Sequence, residues 1–270
     1  MTRSTVRVPI GKVHGQITRP QEDILAVEEP LEIRVGSRSL SVTMRTPGHD
    51  FELATGFLFA EDIISSASDI RAITNPRPNI VAVDLLPNAM IERPKSQRGF
   101  MMTSACGLCG KVSLESLAAN RCPVLPLRDL RVDAGVIHQL PDQLRQRQDI
   151  FESTGGLHAA ALFNPQGELE SLREDVGRHN AVDKLVGHAL LSFRTPLRDS
   201  VMLVSGRTSF ELVQKASMAG IPLLAAVGAP SSLAVATAER CGMTLIGFLR
   251  NGSFNVYSGT ACIVGLERPQ

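Results

Sequence analysis

The feature that most constrains the fold is the alternation of short apolar runs with amphipathic segments through the second half of the chain. Ala181, Val182, Leu185, Val186, Ala189 and Leu190 recur at the spacing of one helical face. Beyond them, 201–204, 221–227 and 243–249 are compact apolar runs of strand length, while 206–220 and 231–241 suit helices. Strands and helices in strict turn bury both faces of a sheet under helices, which predicts an α/β layer with a mixed sheet.

The first half is less regular. Residues 1–20 carry Pro, Gly and charge without a sustained apolar period and are expected to form a flexible arm, with structure beginning near Ile24. The runs 24–35 and 40–46 flank Gly36-Ser37-Arg38, a hairpin signal. Asp50 is placed to cap a helix with Phe51, Ala54, Phe57 and Leu58 on its apolar side, and 80–86 reads as a strand. From 87 to 110, Pro87, Pro94 and Gly99 interrupt any pattern, as in an exposed loop. Asp133 then precedes Val136, Ile137, Leu140 and Leu144, a capped helix. Three parts follow: the arm at 1–20, an N-terminal α+β portion at 21–130, and a C-terminal α/β domain at 131–270.

Charge excludes some partners. With 28 Lys plus Arg against 27 Asp plus Glu, no net field favours nucleic acid or an anionic membrane, and no Trp and a single Tyr leave little for base stacking. No run is apolar and long enough to span a bilayer or to serve as a signal-peptide core, so a cytoplasmic chain is expected. Five cysteines in 270 residues point to reduced thiols rather than a disulfide framework.

Two of those thiols stand at Cys-x-x-Cys spacing, Cys106 and Cys109, each followed by a glycine, Gly107 and Gly110, with Lys111 next in the chain. Half of a zinc site, a dithiol redox couple and a sulfur-carrying thiolate with a resolving neighbour all fit this spacing. Zinc is disfavoured because Cys122, Cys241 and Cys262 are isolated in sequence and read as packing residues, so no metal is expected. A thioredoxin-like site should follow the first strand of a βαβ unit, and here a long irregular stretch precedes the pair. Burial as two small packing residues is the plain alternative.

Anion-binding signals lie downstream. Arg178 and His179 open a helix at Gly177, and His179 and Asp183 share one face; these residues make either a solvated salt-bridged surface or a phosphate site at a helix N-terminus. His158, in a small-residue run, reads first as a hydrogen-bonded core histidine. Three segments, 205–209, 228–232 and 248–253, each follow an apolar strand, where ligands collect in open α/β sheets, and they bring Arg207 and Arg250 as phosphate partners.

Several motifs together resemble the formate dehydrogenase accessory sulfurtransferases, the FdhD family. They are Ala-Cys-Gly-Leu-Cys-Gly at 105–110, Thr-Gly-Gly-Leu-His-Ala-Ala-Ala at 154–161, Glu-Asp-Val-Gly-Arg-His-Asn-Ala-Val-Asp-Lys at 174–184, Ser-Gly-Arg-Thr-Ser-Phe-Glu at 205–211 and Gly-Phe-Leu-Arg-Asn-Gly-Ser at 247–253. The resemblance implies a cytidine-deaminase-like layered α/β fold with an N-terminal mixed α+β portion, and a homodimer. It implies persulfide sulfur taken from a cysteine desulfurase and passed to a molybdenum cofactor, Mo-bis(molybdopterin guanine dinucleotide), for a formate dehydrogenase client. It assigns the persulfide to Cys106 and the assisting thiol to Cys109. It places cofactor binding on Phe248, Leu249, Arg250, Asn251, Gly252 and Ser253, where a guanine nucleotide can mimic the cofactor. Two rivals stand beside this reading: a metal-dependent nucleotide deaminase, whose His-x-Glu general acid/base is missing because position 160 is Ala, and a cofactor chaperone that transfers no sulfur.

Overall fold

The computed structural model describes residues 4–87, 122–125 and 130–266. Cys106 and Cys109, with the loop expected at 88–110, lie outside the described residues.

The chain begins differently from expectation. Strand β1 (Thr5–His14) pairs along its whole length with β2 (Ile17–Ala26), so strand structure starts at Thr5 rather than near Ile24. His14 faces Ile17 across a two-residue turn in which Gly15 takes φ +60, a conformation open to glycine. The hairpin is mostly exposed, which is why its sequence shows no buried period.

Strands β3 (Glu29–Val35) and β4 (Arg38–Arg45) form the expected hairpin around Gly36. With β5 (Ile70–Arg77) and β6 (Ile80–Leu85) they make a four-stranded sheet in the order β4-β3-β6-β5, in which β3 and β6 run parallel. Helix α1 (Asp50–Ala60) follows β4, but Asp50 is its first residue and His49, at φ 58, occupies the cap position. The Asp50 carboxylate is engaged elsewhere: it accepts two hydrogen bonds of 2.9 Å from the fully buried Arg45 guanidinium. Phe51, expected on the apolar side, is exposed, whereas Leu53, Ala54, Leu58 and Phe59 are buried.

The C-terminal half builds a six-stranded sheet in the order β13-β12-β11-β10-β8-β9. Its strands are β8 (His158–Phe163), β9 (Leu169–Asp175), β10 (Val201–Val204), β11 (Leu223–Ala226), β12 (Thr244–Arg250) and β13 (Ser253–Ser258). β10, β11 and β12 are parallel and the other pairings antiparallel, the mixed α/β sheet that the alternation called for. A short parallel pair, β7 (Val132–Asp133) with β14 (Ile263–Val264), stands apart.

Each face of the large sheet is covered. On one, α2 (Ala134–Arg145) sets Ile137, Leu140 and Leu144 against Ala159, Ala161, Phe163, Val201 and Leu203. Asp133 caps it as expected, accepting from the Gly135 N–H at 2.7 Å. A short helix, α3 (Asp149–Thr154), follows. The other face meets α4 (Arg178–Leu191), α5 (Phe210–Met218) and α6 (Ser232–Cys241). That core also takes in Leu31, Ile33, Val81 and Val83 of the four-stranded sheet, so the two halves of the chain share it.

The shared core depends on a close helix crossing. A Cβ on Gly56 of α1 would fall 1.9 Å from the Asp183 carbonyl oxygen, and one on Gly187 of α4 would fall 1.9 Å from that of Glu52. Backbone meets backbone at this crossing, and only hydrogen fits between. Gly187→Ala should therefore lower the unfolding free energy by about 2–3 kcal/mol, as overpacking in a rigid core does. Urea denaturation followed by circular dichroism measures it, and an unchanged midpoint would show that the helices can slide apart.

Candidate functional site

The parallel order of β10, β11 and β12 puts their carboxyl ends on one edge, where the segments that follow are tied together. The Gly228 N–H donates to Gly206 O at 3.1 Å, the Thr208 N–H to Ala229 O at 3.1 Å, the Ser231 N–H to Thr208 O at 2.9 Å and the Phe248 N–H to Gly228 O at 3.1 Å. The loops approach so closely that a Cβ on Gly228 would lie 2.9 Å from Gly206 O. Ser205 anchors the set to β8, its hydroxyl accepting from the Ala159 N–H at 2.9 Å.

Basic side chains gather above this edge. His158 opens β8 half-buried, close enough to Gly206 that a Cβ there would sit 3.2 Å from its Nδ1. Burial lowers the His158 pKa, and the charges of Arg178, His179 and Arg207 lower it further, against a smaller opposing pull from Asp175. Arg178 is the first residue of α4, where helix N–H groups add positive potential, and its Nε is buried with no hydrogen-bond partner among the described residues. Arg207 is exposed. Such an arrangement concentrates positive potential at this edge and favours the neutral form of the imidazole.

Beneath the basic cluster lies a set of buried ion pairs, which overturns the reading of 178–184 as a solvated surface. His179, Asp183 and Lys184 are 7%, 4% and 1% exposed. His179 Nε2 lies 2.9 Å from Glu211 Oε2 and 3.2 Å from Ser209 Oγ. Asp183 pairs with Lys215, and burial pushes its pKa up against the pull of that lysine. Lys184 Nζ lies 2.7 Å from Asp175 Oδ2. Glu211, Lys215 and Asp175 escaped the sequence reading as site residues. The available signal was charge at positions whose helical neighbours, Leu212, Val213 and Ala216, are core residues.

The stretch expected to hold the cofactor is a hairpin turn rather than a strand-to-helix loop. β12 runs through Phe248, Leu249 and Arg250, Asn251-Gly252 make a two-residue turn at φ 52 and 69, and β13 starts at Ser253. Leu249 is fully buried in the core under α2, so its side chain is unavailable to a ligand. Phe248, at φ 55 beside a register shift, is half-buried, with the Arg250 guanidinium 5.7 Å from its ring centre. Arg250, Asn251, Gly252 and Ser253 are exposed. The edge thus brings Arg207 and the start of this hairpin together through Gly228.

A cleft of about 480 Å³ opens beside His158 and Ser205, walled by Leu144, Leu157 and Val227 and by Phe151, on which the Arg145 guanidinium stacks at 4.5 Å. Among the described residues no group of three or more His, Cys, Asp and Glu could hold a metal ion. Cys122 and Cys241, isolated in sequence, are hydrogen-bonded neighbours in space.

A family model for FdhD/NarQ proteins matches residues 26–264. This chain belongs to the FdhD/NarQ family. Among the relatives of this FdhD/NarQ chain, the sulfur carrier protein FdhD of Streptomyces coelicolor is 51% identical over 267 residues, covering 95% of this chain and 93% of the relative. The protein of the same description from Sulfolobus acidocaldarius is 44% identical over 252 residues, covering 93% and 96%. The crystal structure of a protein described as a formate dehydrogenase accessory protein, from Desulfotalea psychrophila, superposes with a TM-score of 0.79 at 26% identity, covering 97% of this chain and all of that one.

The lowered pKa of His158 makes a pH prediction with a definite sign. In the free protein its imidazole should titrate below the ordinary 6.5. A bound phosphate group should raise that midpoint, so anion affinity should increase as pH falls through the range between the two values. Proton NMR titration of His158 with and without a guanine nucleotide reads both, and a free-protein midpoint at or above the ordinary value would refute the cationic-edge account.

Proposed function

We propose that this chain is a sulfur carrier that accepts persulfide sulfur on Cys106 from a cysteine desulfurase and passes it to a molybdenum cofactor bound at the carboxyl edge of β10, β11 and β12. The observation that carries the binding half is the cluster of Arg178, Arg207 and His158 over the joined loops, with Arg178 Nε left without a described partner. A pyrophosphate-linked guanine dinucleotide presents the anion that such a cluster attracts. The sulfur half is supported by the Cys-x-x-Cys spacing and by relatives described as sulfur carriers.

In the carrier step the Cys106 thiolate attacks the terminal sulfur of the donor's persulfide. The donor's S–S bond breaks, its cysteine leaves as thiolate, and Cys106 holds the transferred sulfur. Cys109 then has two roles open to its chemistry: displacing that sulfur as sulfide by attack on the inner sulfur, or positioning the loop. Classification as a sulfurtransferase enzyme, a formate dehydrogenase client, a homodimer and a cytoplasmic location belong to the same proposal and are supported by family membership. Among the described residues no helix is long and apolar enough to cross a membrane. Cytidine-deaminase-like layering and a boundary near residue 130 between an N-terminal α+β portion and a C-terminal α/β domain also belong here, supported by the separate four-stranded and six-stranded sheets.

Binding is tested with a guanine nucleotide. Arg207→Ala and Arg250→Ala should each weaken it by about 1.5–3 kcal/mol, the worth of a charge-assisted hydrogen bond, by isothermal calorimetry. Unchanged affinity in both would move the nucleotide away from this edge.

Transfer is tested by mass. After incubation with a cysteine desulfurase and cysteine, the protein should gain one sulfur atom, removable by reductant and mapped to the Cys106 peptide. Cys106→Ser should keep nucleotide binding and leave the client dehydrogenase inactive. Full activation by a Cys106→Ser/Cys109→Ser protein would instead identify a chaperone.

A further inference from the structure

Two thiols unused by this chemistry meet at the end of α6. Cys241, the last residue of that helix, is fully buried, and Cys122 is partly exposed; their side chains share a hydrogen bond. The backbone holds them there independently of the sulfurs. The Leu125 N–H donates to the Cys241 carbonyl at 2.8 Å, and the Ser217 hydroxyl on α5 donates to the Pro123 carbonyl at 2.8 Å. Residues 122–125 are therefore fastened to both α5 and α6, with Cys122 laid against Cys241. Two other features make the contact chemically active. The hydrogen bond from Cys122, helped by Ser217 and Arg240, pulls the Cys241 thiol down to about 6 in spite of burial. The same bond, and burial, push Cys122 up. In so close a pair the titration belongs to both groups, so one proton leaves near neutrality and the other stays between the sulfurs. The pair then carries one thiolate and one thiol, and its partly exposed member is the one a solute reaches.

We propose that Cys122 and Cys241 form a second reactive dithiol, separate from Cys106 and Cys109, which closes to a disulfide on reaction with a low-molecular-weight disulfide. Cys122 passes its proton to the neighbouring Cys241 thiolate as its sulfur attacks one sulfur of the incoming disulfide, whose S–S bond breaks and releases one small thiolate to take up a proton from solvent. Cys241, having given up its proton, attacks the Cys122 sulfur of the mixed disulfide and expels the second small thiol. Two protein thiols are oxidised by two electrons, and the small disulfide is reduced to two thiols. The sulfurs have only to close from hydrogen-bonding contact to the ~2.05 Å of a disulfide, and the bond would tie 122–125 to α6 covalently.

The experiment incubates oxidised glutathione at neutral pH with the full chain and with its Cys106→Ser/Cys109→Ser variant, followed by alkylation, digestion and mass spectrometry. Both proteins should yield a peptide linking Cys122 to Cys241, formed roughly tenfold or more faster than any adduct at Cys241 of the Cys122→Ser protein, where that thiol is buried. Cys241→Ala should stop at glutathione attached to Cys122. Should that variant fail to fold, the Cys122→Ser rate comparison decides alone. A persistent Cys122 adduct with Cys241 intact, or no linked peptide in the Cys106→Ser/Cys109→Ser background, overturns the proposal.

Discussion

The structure hangs on the Asp175 carboxylate. It ends β9 with no exposure to solvent and lies 2.7 Å from Lys184 Nζ, which is itself 1% exposed. It also accepts from the Thr46 N–H at 3.2 Å, the Gly177 N–H at 2.8 Å and Asn180 Nδ2 at 3.0 Å. Lys184 in turn donates to the Thr46 carbonyl at 2.8 Å. One ion pair therefore joins the edge of the large sheet, the start of α4 and the connection leaving the small sheet. Loss of one partner would leave a buried charge uncompensated, a defect of about 3–5 kcal/mol, comparable to much of a domain's net stability. The ion pair and the glycine crossing of α1 on α4 act together, since α4 can lie against α1 only where its charged side chains have found partners.

The candidate site inherits its geometry from that junction. Asp175 and Gly177 set where α4 begins, and so where Arg178 and His179 stand relative to the strand ends. Glu211 and Ser209, at the start of α5, hold His179 from the other side. Basic groups are thus held over the loops by carboxylates beneath them, the arrangement on which the proposed anion site rests. His158, its pKa lowered by burial and by its cationic neighbours, stands at the mouth of an apolar-walled cleft, where the charge of the proposed anion would favour its protonation.

The two cysteine pairs differ in how they are made. Cys106 and Cys109 are paired by sequence spacing. Cys122 and Cys241 are paired only by folding, through the hydrogen bonds that fasten 122–125 to α5 and α6. Reading the second pair as isolated packing thiols was the natural result of spacing, which carries no information about segments so far apart in the chain.

The sequence by itself determined the α/β class of the second half, the hairpin at Gly36, the helix capped by Asp133 and the candidate anion segments. Each of these depends on local periodicity or on a residue's own backbone preference. It missed β8 because His-Ala-Ala-Ala-Leu-Phe is buried on both faces and shows no alternation, and β5 because a polar strand containing Pro76 resembles a turn. The N-terminal hairpin went unread because little of it is buried. Tertiary structure alone decided that His179, Asp183 and Lys184 lie inside, that Leu249 is core, and that Cys122 meets Cys241. For the ion pairs and the cysteines the physical reason is the same: a charged or polar group can be buried only when a partner arrives from elsewhere in the chain, and Asp175, Glu211, Lys215 and Ser217 arrive through packing that local sequence does not encode; Leu249 is core because α2, distant in sequence, shares its cluster.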